Sequence, residues 1–178
     1  MKAPITTMRR YFLPLLFALA LIGTAVFGQD WDGREFLKAN LISFEQVPSV
    51  LAASHGRFEA AINEDGTISW RLSYADMSSP VVQAHIHFGA SRTNGGVVVF
   101  LCGGVKPACP ASGTITGTIT AADVSVLPAS NGDSVIPQGI PPGDLAGLIT
   151  AIRSGDTYVN VHSQSFPSGE IRGQLQMR

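Results

Sequence analysis

The chain has 178 residues, 45% of them hydrophobic, with 12 Lys and Arg against 13 Asp and Glu, which suffices for one domain with a sizeable core. Every charged residue among the first 28 is basic (Lys2, Arg9, Arg10), so the remainder carries a formal net charge of −4. That balance argues against nucleic acid as the partner, and no repeat or second composition regime marks a further domain boundary.

The chain opens with Lys2, Arg9 and Arg10, followed by an apolar run at residues 11–27 that ends among small residues, the layout of a secretory signal peptide. Cleavage after Gly28 gives a signal over 1–28 and a single mature domain over 29–178; Ala25 is the alternative cut. A membrane anchor is the competing reading, but the run is shorter than the ~20 residues of a spanning helix and contains Pro14. The mature protein is therefore expected to be secreted or held in the periplasm or cell envelope, touching a membrane only through an uncleaved signal.

Beyond the signal, runs rich in β-branched and aromatic residues fall at 35–44, 56–62, 67–74, 81–88, 96–102, 113–120, 157–162 and 169–176, separated by Gly, Pro, Asn and Asp. These read as eight antiparallel strands, hence an all-β Greek-key sandwich or barrel. Asn63-Glu64-Asp65-Gly66 marks a hairpin between the second and third strands. One short helix precedes the penultimate strand, because Leu145, Leu148, Ile149 and Ile152 repeat at helical spacing between Pro141, Pro142, Asp144 and Gly155. Its stripe should pack on the sheet edge or close one end, while residues 127–142, rich in Pro, Gly and Ser, read as a long surface loop.

Cys102 and Cys109 flank six residues of a Gly- and Pro-rich stretch. In an exported protein this pair is expected to form a local disulfide. A metal half-site or redox pair is the rival reading, against which stand the spacing, longer than Cys-x-x-Cys, and the lack of a second pair.

The segment richest in chemistry is Val81-Val82-Gln83-Ala84-His85-Ile86-His87-Phe88-Gly89. As a strand it sends Val82, Ala84, Ile86 and Phe88 into the core and leaves Gln83, His85 and His87 on the opposite face. The same alternation puts Tyr158, Asn160 and His162 outward, and Glu170, Arg172 and Gln174 on the polar face of the last strand. If those strands adjoin, His85, His87, His162 and Glu170 could hold zinc or copper through nitrogen and oxygen. The competing reading is a set of cross-strand polar pairs that only fix register, with Glu170 and Arg172 forming a structural ion pair. His55 reads as a surface residue at a turn or strand start. No Gly-x-Ser-x-Gly elbow or phosphate-cradling loop occurs, and Gly95-Gly96 and Gly103-Gly104 read as turns.

Four blocks in order resemble the CHRD (chordin) domain family: Ala39-Asn40-Leu41 through Glu45-Gln46-Val47-Pro48, Ala84 through Gly89, Gly95 through Leu101, and Tyr158-Val159-Asn160-Val161-His162 with Gly169 through Leu175. The resemblance runs from Phe36 to Leu175. One departure is Gln46-Val47-Pro48-Ser49, where the family more often shows two successive prolines. The family includes single-domain exported bacterial proteins and is associated in animals with extracellular protein interaction. What it implies is a secreted binding or structural module without catalytic activity, no cofactor, and an extracellular or envelope protein partner. The alternative is a copper- or zinc-binding protein, open to redox activity. The His-x-His strand with a late Val-His is also similar to the copper pattern of copper/zinc superoxide dismutases, although their zinc loop is not recognisable here.

Overall fold

The computed structural model describes residues 34–124 and 138–178. The expected signal peptide, and residues 127–137 of the expected surface loop, lie outside the described residues.

Nine strands form: β1 (Glu35–Ile42), β2 (His55–Ile62), β3 (Ile68–Ala75), β4 (Val81–Phe88), β5 (Gly96–Cys102), β6 (Gly113–Ile119), β7 (Thr157–Ser163), β8 (Ile171–Gln174) and β9 (Gln176–Met177). Among the described residues the one α-helix, α1 (Leu145–Arg153), precedes β7. All pairings are antiparallel, in the order β5-β4-β7-β8-β1-β2-β3-β6, with β9 added to β1. The two end strands approach each other: Val99 of β5 forms a single bridge with Val124, just beyond β6. The fold is thus all-β as expected, one sheet curled into a nearly closed barrel with a seam between β5 and β6.

The interior is filled from every strand of the curl, with Leu41, Phe58, Leu72, Ile86, Val159 and Ile171 at most 1% exposed. Burying each such side chain contributes about 1.5–3 kcal/mol. The helix joins this same core through Leu148, Ile149 and Ile152, the stripe read from the sequence. The Asp144 carboxylate caps its start by accepting the Gly147 N–H at 2.8 Å. Gly155, at φ +79°, ends it and donates to Ile152 O at 3.0 Å.

Three expectations need correction. Val82 does not enter the core; it is 40% exposed and Val81 is buried in its place, because the β4–β7 register shifts between Val81 and Gln83 and a one-residue slip exchanges the faces. The last predicted strand starts late and breaks, since Gly169 at φ +118° turns the chain before β8 and Leu175 separates β8 from β9. Finally, the polar sides of β4 and β7 are not open: all seven residues of β7 are buried, and so are His85 and His87.

The Cys102–Cys109 disulfide is present, with the Cα atoms 5.1 Å apart. Gly103 and Gly104 take positive φ (+71° and +59°), and the Gly103 N–H donates to Pro107 O at 2.7 Å, so the intervening loop folds tightly back on the end of β5.

Candidate metal centre

Register alone assembles the centre. Strand β4 lies between β5 and β7, pairing His85 with Phe100 on one side and with Asn160 on the other, while His87 faces Tyr158 and Gln83 faces His162. Strand β8 continues the row, with Arg172 opposite Asn160. His162 therefore sits diagonally from His85, within reach of a ring.

Neighbouring loops and one residue distant in sequence roof this face. The Gly95 carbonyl accepts the His87 Nδ1–H at 3.0 Å, and the Gly95 N–H donates to the Tyr158 hydroxyl at 3.1 Å. The Pro167 carbonyl accepts the His162 Nδ1–H at 2.9 Å. Gln46 reaches over from beyond β1 to donate to Ser168 O at 2.9 Å. The result leaves His85, His87 and His162 only 2%, 7% and 6% exposed.

Because carbonyl oxygens only accept, His87 and His162 carry their protons on Nδ1 and keep Nε2 as a lone pair. His85 Nδ1–H then donates to His162 Nε2 at 3.1 Å. The Nε2 atoms of His85 and His87 are buried without a hydrogen-bond partner. One ligand nitrogen from each of the three residues lies within 4.8 Å of the others. Around a tetrahedral ion with bonds of 2.0–2.1 Å, nitrogens stand about 3.3 Å apart, so the widest separation must close by about 1.5 Å, and the His85–His162 hydrogen bond must give way, because the single lone pair of His162 Nε2 serves either that proton or an ion.

The environment keeps the imidazoles neutral. Burial drives His85 down to about 2, helped by the neighbouring His162 and His87. His87 falls to about 4, again chiefly through burial, with the Gly95 hydrogen bond opposing and His162 and Arg172 assisting. His162 is lowered by burial against the pull of Pro167 O. A neutral imidazole is the form that binds metal.

Glu170 does not join the histidine group. Its Oε1 accepts the Ser78 N–H at 2.8 Å. Burial raises its carboxyl, but the polar groups of Ser163, Ser78 and Ser54 around it outweigh this and hold it below the ordinary value, although Oε2 itself has no hydrogen-bond partner. The expected Glu170–Arg172 ion pair does not form. Instead the Arg172 guanidinium, 2% exposed, lies 3.5 Å from the centroid of the Tyr158 ring and donates to Ala90 O at 3.2 Å. Tyr158 in turn stacks on His87, centroids 4.7 Å apart and planes 5° apart. Arg172, Tyr158 and His87 thus form one continuous stack. His55 is an exposed residue at the start of β2, 3.6 Å from Asp76.

Two neighbours of the histidines, neither of them a ligand, went unrecognised in the sequence. Phe100 packs edge-on against His85 at 4.4 Å, and Tyr158 forms the floor beneath His87. Tyr158 becomes visible once β7 is placed beside β4, since it then falls directly opposite His87; Phe100 carries no local signal.

The match to the CHRD domain covers residues 37–175. No curated protein and no solved structure matches the chain. The described strands and the whole histidine row fall inside the matched span apart from the two ends, and on this ground the chain belongs to the CHRD domain family.

Proposed function

We propose that this CHRD domain is an exported binding module whose ligand is a transition-metal ion, copper or zinc, held by His85, His87 and His162. The observation that carries this reading is the pair of buried imidazole lone pairs, His85 Nε2 and His87 Nε2, that no hydrogen bond uses. Burying an acceptor without a partner costs about 1–3 kcal/mol, and a cation among the three rings removes that cost. Supporting it, the Nδ1 protons of His87 and His162 are committed to backbone carbonyls, the outer-shell arrangement that orients metal-binding histidines. Three neutral nitrogens suit copper or zinc better than harder cations, and they leave a four-coordinate ion one open position. A disulfide in the same fold accords with an oxidising compartment outside the cytosol.

The test is to express the domain in metal-supplemented medium and measure bound metals by elemental mass spectrometry beside a His85→Ala, His87→Ala double variant. Near-stoichiometric copper or zinc that vanishes in the folded double variant supports the reading. A metal-free wild type that also fails to take up either ion after purification refutes it and directs attention to protein partners.

A further inference from the structure

We infer that the ion reaches the three histidines through the seam of the barrel, with Phe100 as the gate and the disulfide-closed loop as its frame. This inference rests on the metal reading above and adds to it a route and a residue that controls passage.

A cleft of about 260 Å³ lies along the seam between β5 and β6, lined by Phe100, Trp70, Ile115, Gly117, Lys106 and Asp123 among others. Phe100 is partly exposed there, and its ring meets His85 at 85°. A single aromatic ring therefore separates the cleft from an imidazole that is itself 2% exposed. The backbone of the disulfide loop rests on the other side of that ring: a Cβ on Gly104 would fall 2.5 Å from Phe100 Cε1. Lys106 of this loop forms an ion pair with Asp123 beyond β6, so the loop is tied to the end of β5 by the disulfide and across the seam by the ion pair.

The other sides of the centre are poor routes for a cation. His87 is covered by Tyr158 and, behind it, by the buried Arg172 guanidinium, which repels positive charge in a region of low dielectric. His162 is closed off by the chain around Pro167, whose carbonyl it holds. At the seam, by contrast, the nearest fixed charges are Lys106 and Asp123, already paired with each other. Rotation of one ring there opens the path without breaking a hydrogen bond of the site.

The experiment follows zinc ions alone entering and leaving the full mature domain, with release read by a chromophoric chelator in stopped flow. Compared are wild type, Phe100→Ala, the conservative Phe100→Leu, and a Cys102→Ser, Cys109→Ser variant, which lacks the disulfide and adds no zinc-binding thiol to the assay. A gate sets rates and leaves the end states untouched. Phe100→Ala should therefore speed uptake and release together by roughly tenfold, about 1.4 kcal/mol off the barrier, with Kd within about twofold. The disulfide-free variant should shift the same way, and it carries the test together with Phe100→Leu if the alanine variant does not fold. Faster release alone, with affinity falling in proportion, overturns the gate and makes Phe100 a packing residue. Unchanged rates in the presence of normal binding overturn it equally. Absence of zinc binding in the wild type is a separate result: it removes the metal reading, and the gate with it.

Discussion

The metal-free domain should be acid-labile in a window set by its buried histidines. In the unfolded chain each imidazole takes a proton near its ordinary value of 6.5, whereas His85 and His87 in the folded protein resist protonation down to about 2 and about 4. Below pH 6.5 the unfolded state thus binds more protons, so stability rises with pH and is lost as pH falls. From pH 8 to pH 5 the loss is about 2 kcal/mol for each of these two residues, or about 4 kcal/mol together, and His162 adds to it in the same direction. Against a total stability of roughly 5–15 kcal/mol this is large. The depressed carboxyls of Glu35, Asp65, Asp123 and Glu170 act with the same sign but at lower pH, their ordinary values being 4.5 for Glu and 3.8 for Asp. Urea unfolding of chelator-treated protein at pH 8 and pH 5 reads the effect, and a His87→Gln variant should show a shallower slope. A difference below about 1 kcal/mol between the two pH values would refute the reasoning, because the imidazoles would then be charging in place.

Other perturbations test the scaffold. Gly169→Ala places a Cβ 2.4 Å from Asn160 Oδ1 and 2.6 Å from Gln46 Nε2 at φ +118°, and should cost about 2 kcal/mol or more in denaturant titrations. Reducing the Cys102–Cys109 bond frees a loop with a sequence separation of 7, and should lower stability by about 2.5 kcal/mol on loop entropy; equal urea midpoints with and without reductant would contradict this. In α1, Leu148→Ala should cost about 2–5 kcal/mol, since Leu148 is 0% exposed. Asp144→Ala, which removes only the cap on Gly147, should cost about 1 kcal/mol. The two variants are ranked by thermal unfolding.

Strand positions were legible because alternation and turn residues are local signals: Gly96–Cys102 and Val81–Phe88 form with the ends read from the sequence. The helix was equally plain, its stripe and stop residues standing within one short segment. Alternation separates two faces of a strand but says nothing of what covers each. His85, Asn160 and His162 therefore read as surface residues until the loops at Gly95 and Pro167, with Gln46 from far away in sequence, close over them. Val82 was misplaced for a related reason, as a bulge depends on the partner strand. Glu170 shows the same limit, because Ser54, Ser78 and Ser163, which hold its carboxyl low, come from three separate segments. That the three histidines converge was a conditional statement in the sequence; the β4–β7 register satisfied the condition.

The position of β1 imposes an order of assembly. One of its edges is taken by β2, which follows closely, but the other is taken by β8 and β9 at the far end of the chain. During synthesis β1 must keep one edge unpaired until β8 and β9 have been made, and such an edge is a template for wrong partners. The same final segment delivers Ile171 and Leu175 to the interior and Arg172 to the histidine stack. Sheet closure and core completion are thus a single late event, and a chain stopped short of Ile171 lacks both, although it already holds the three histidines.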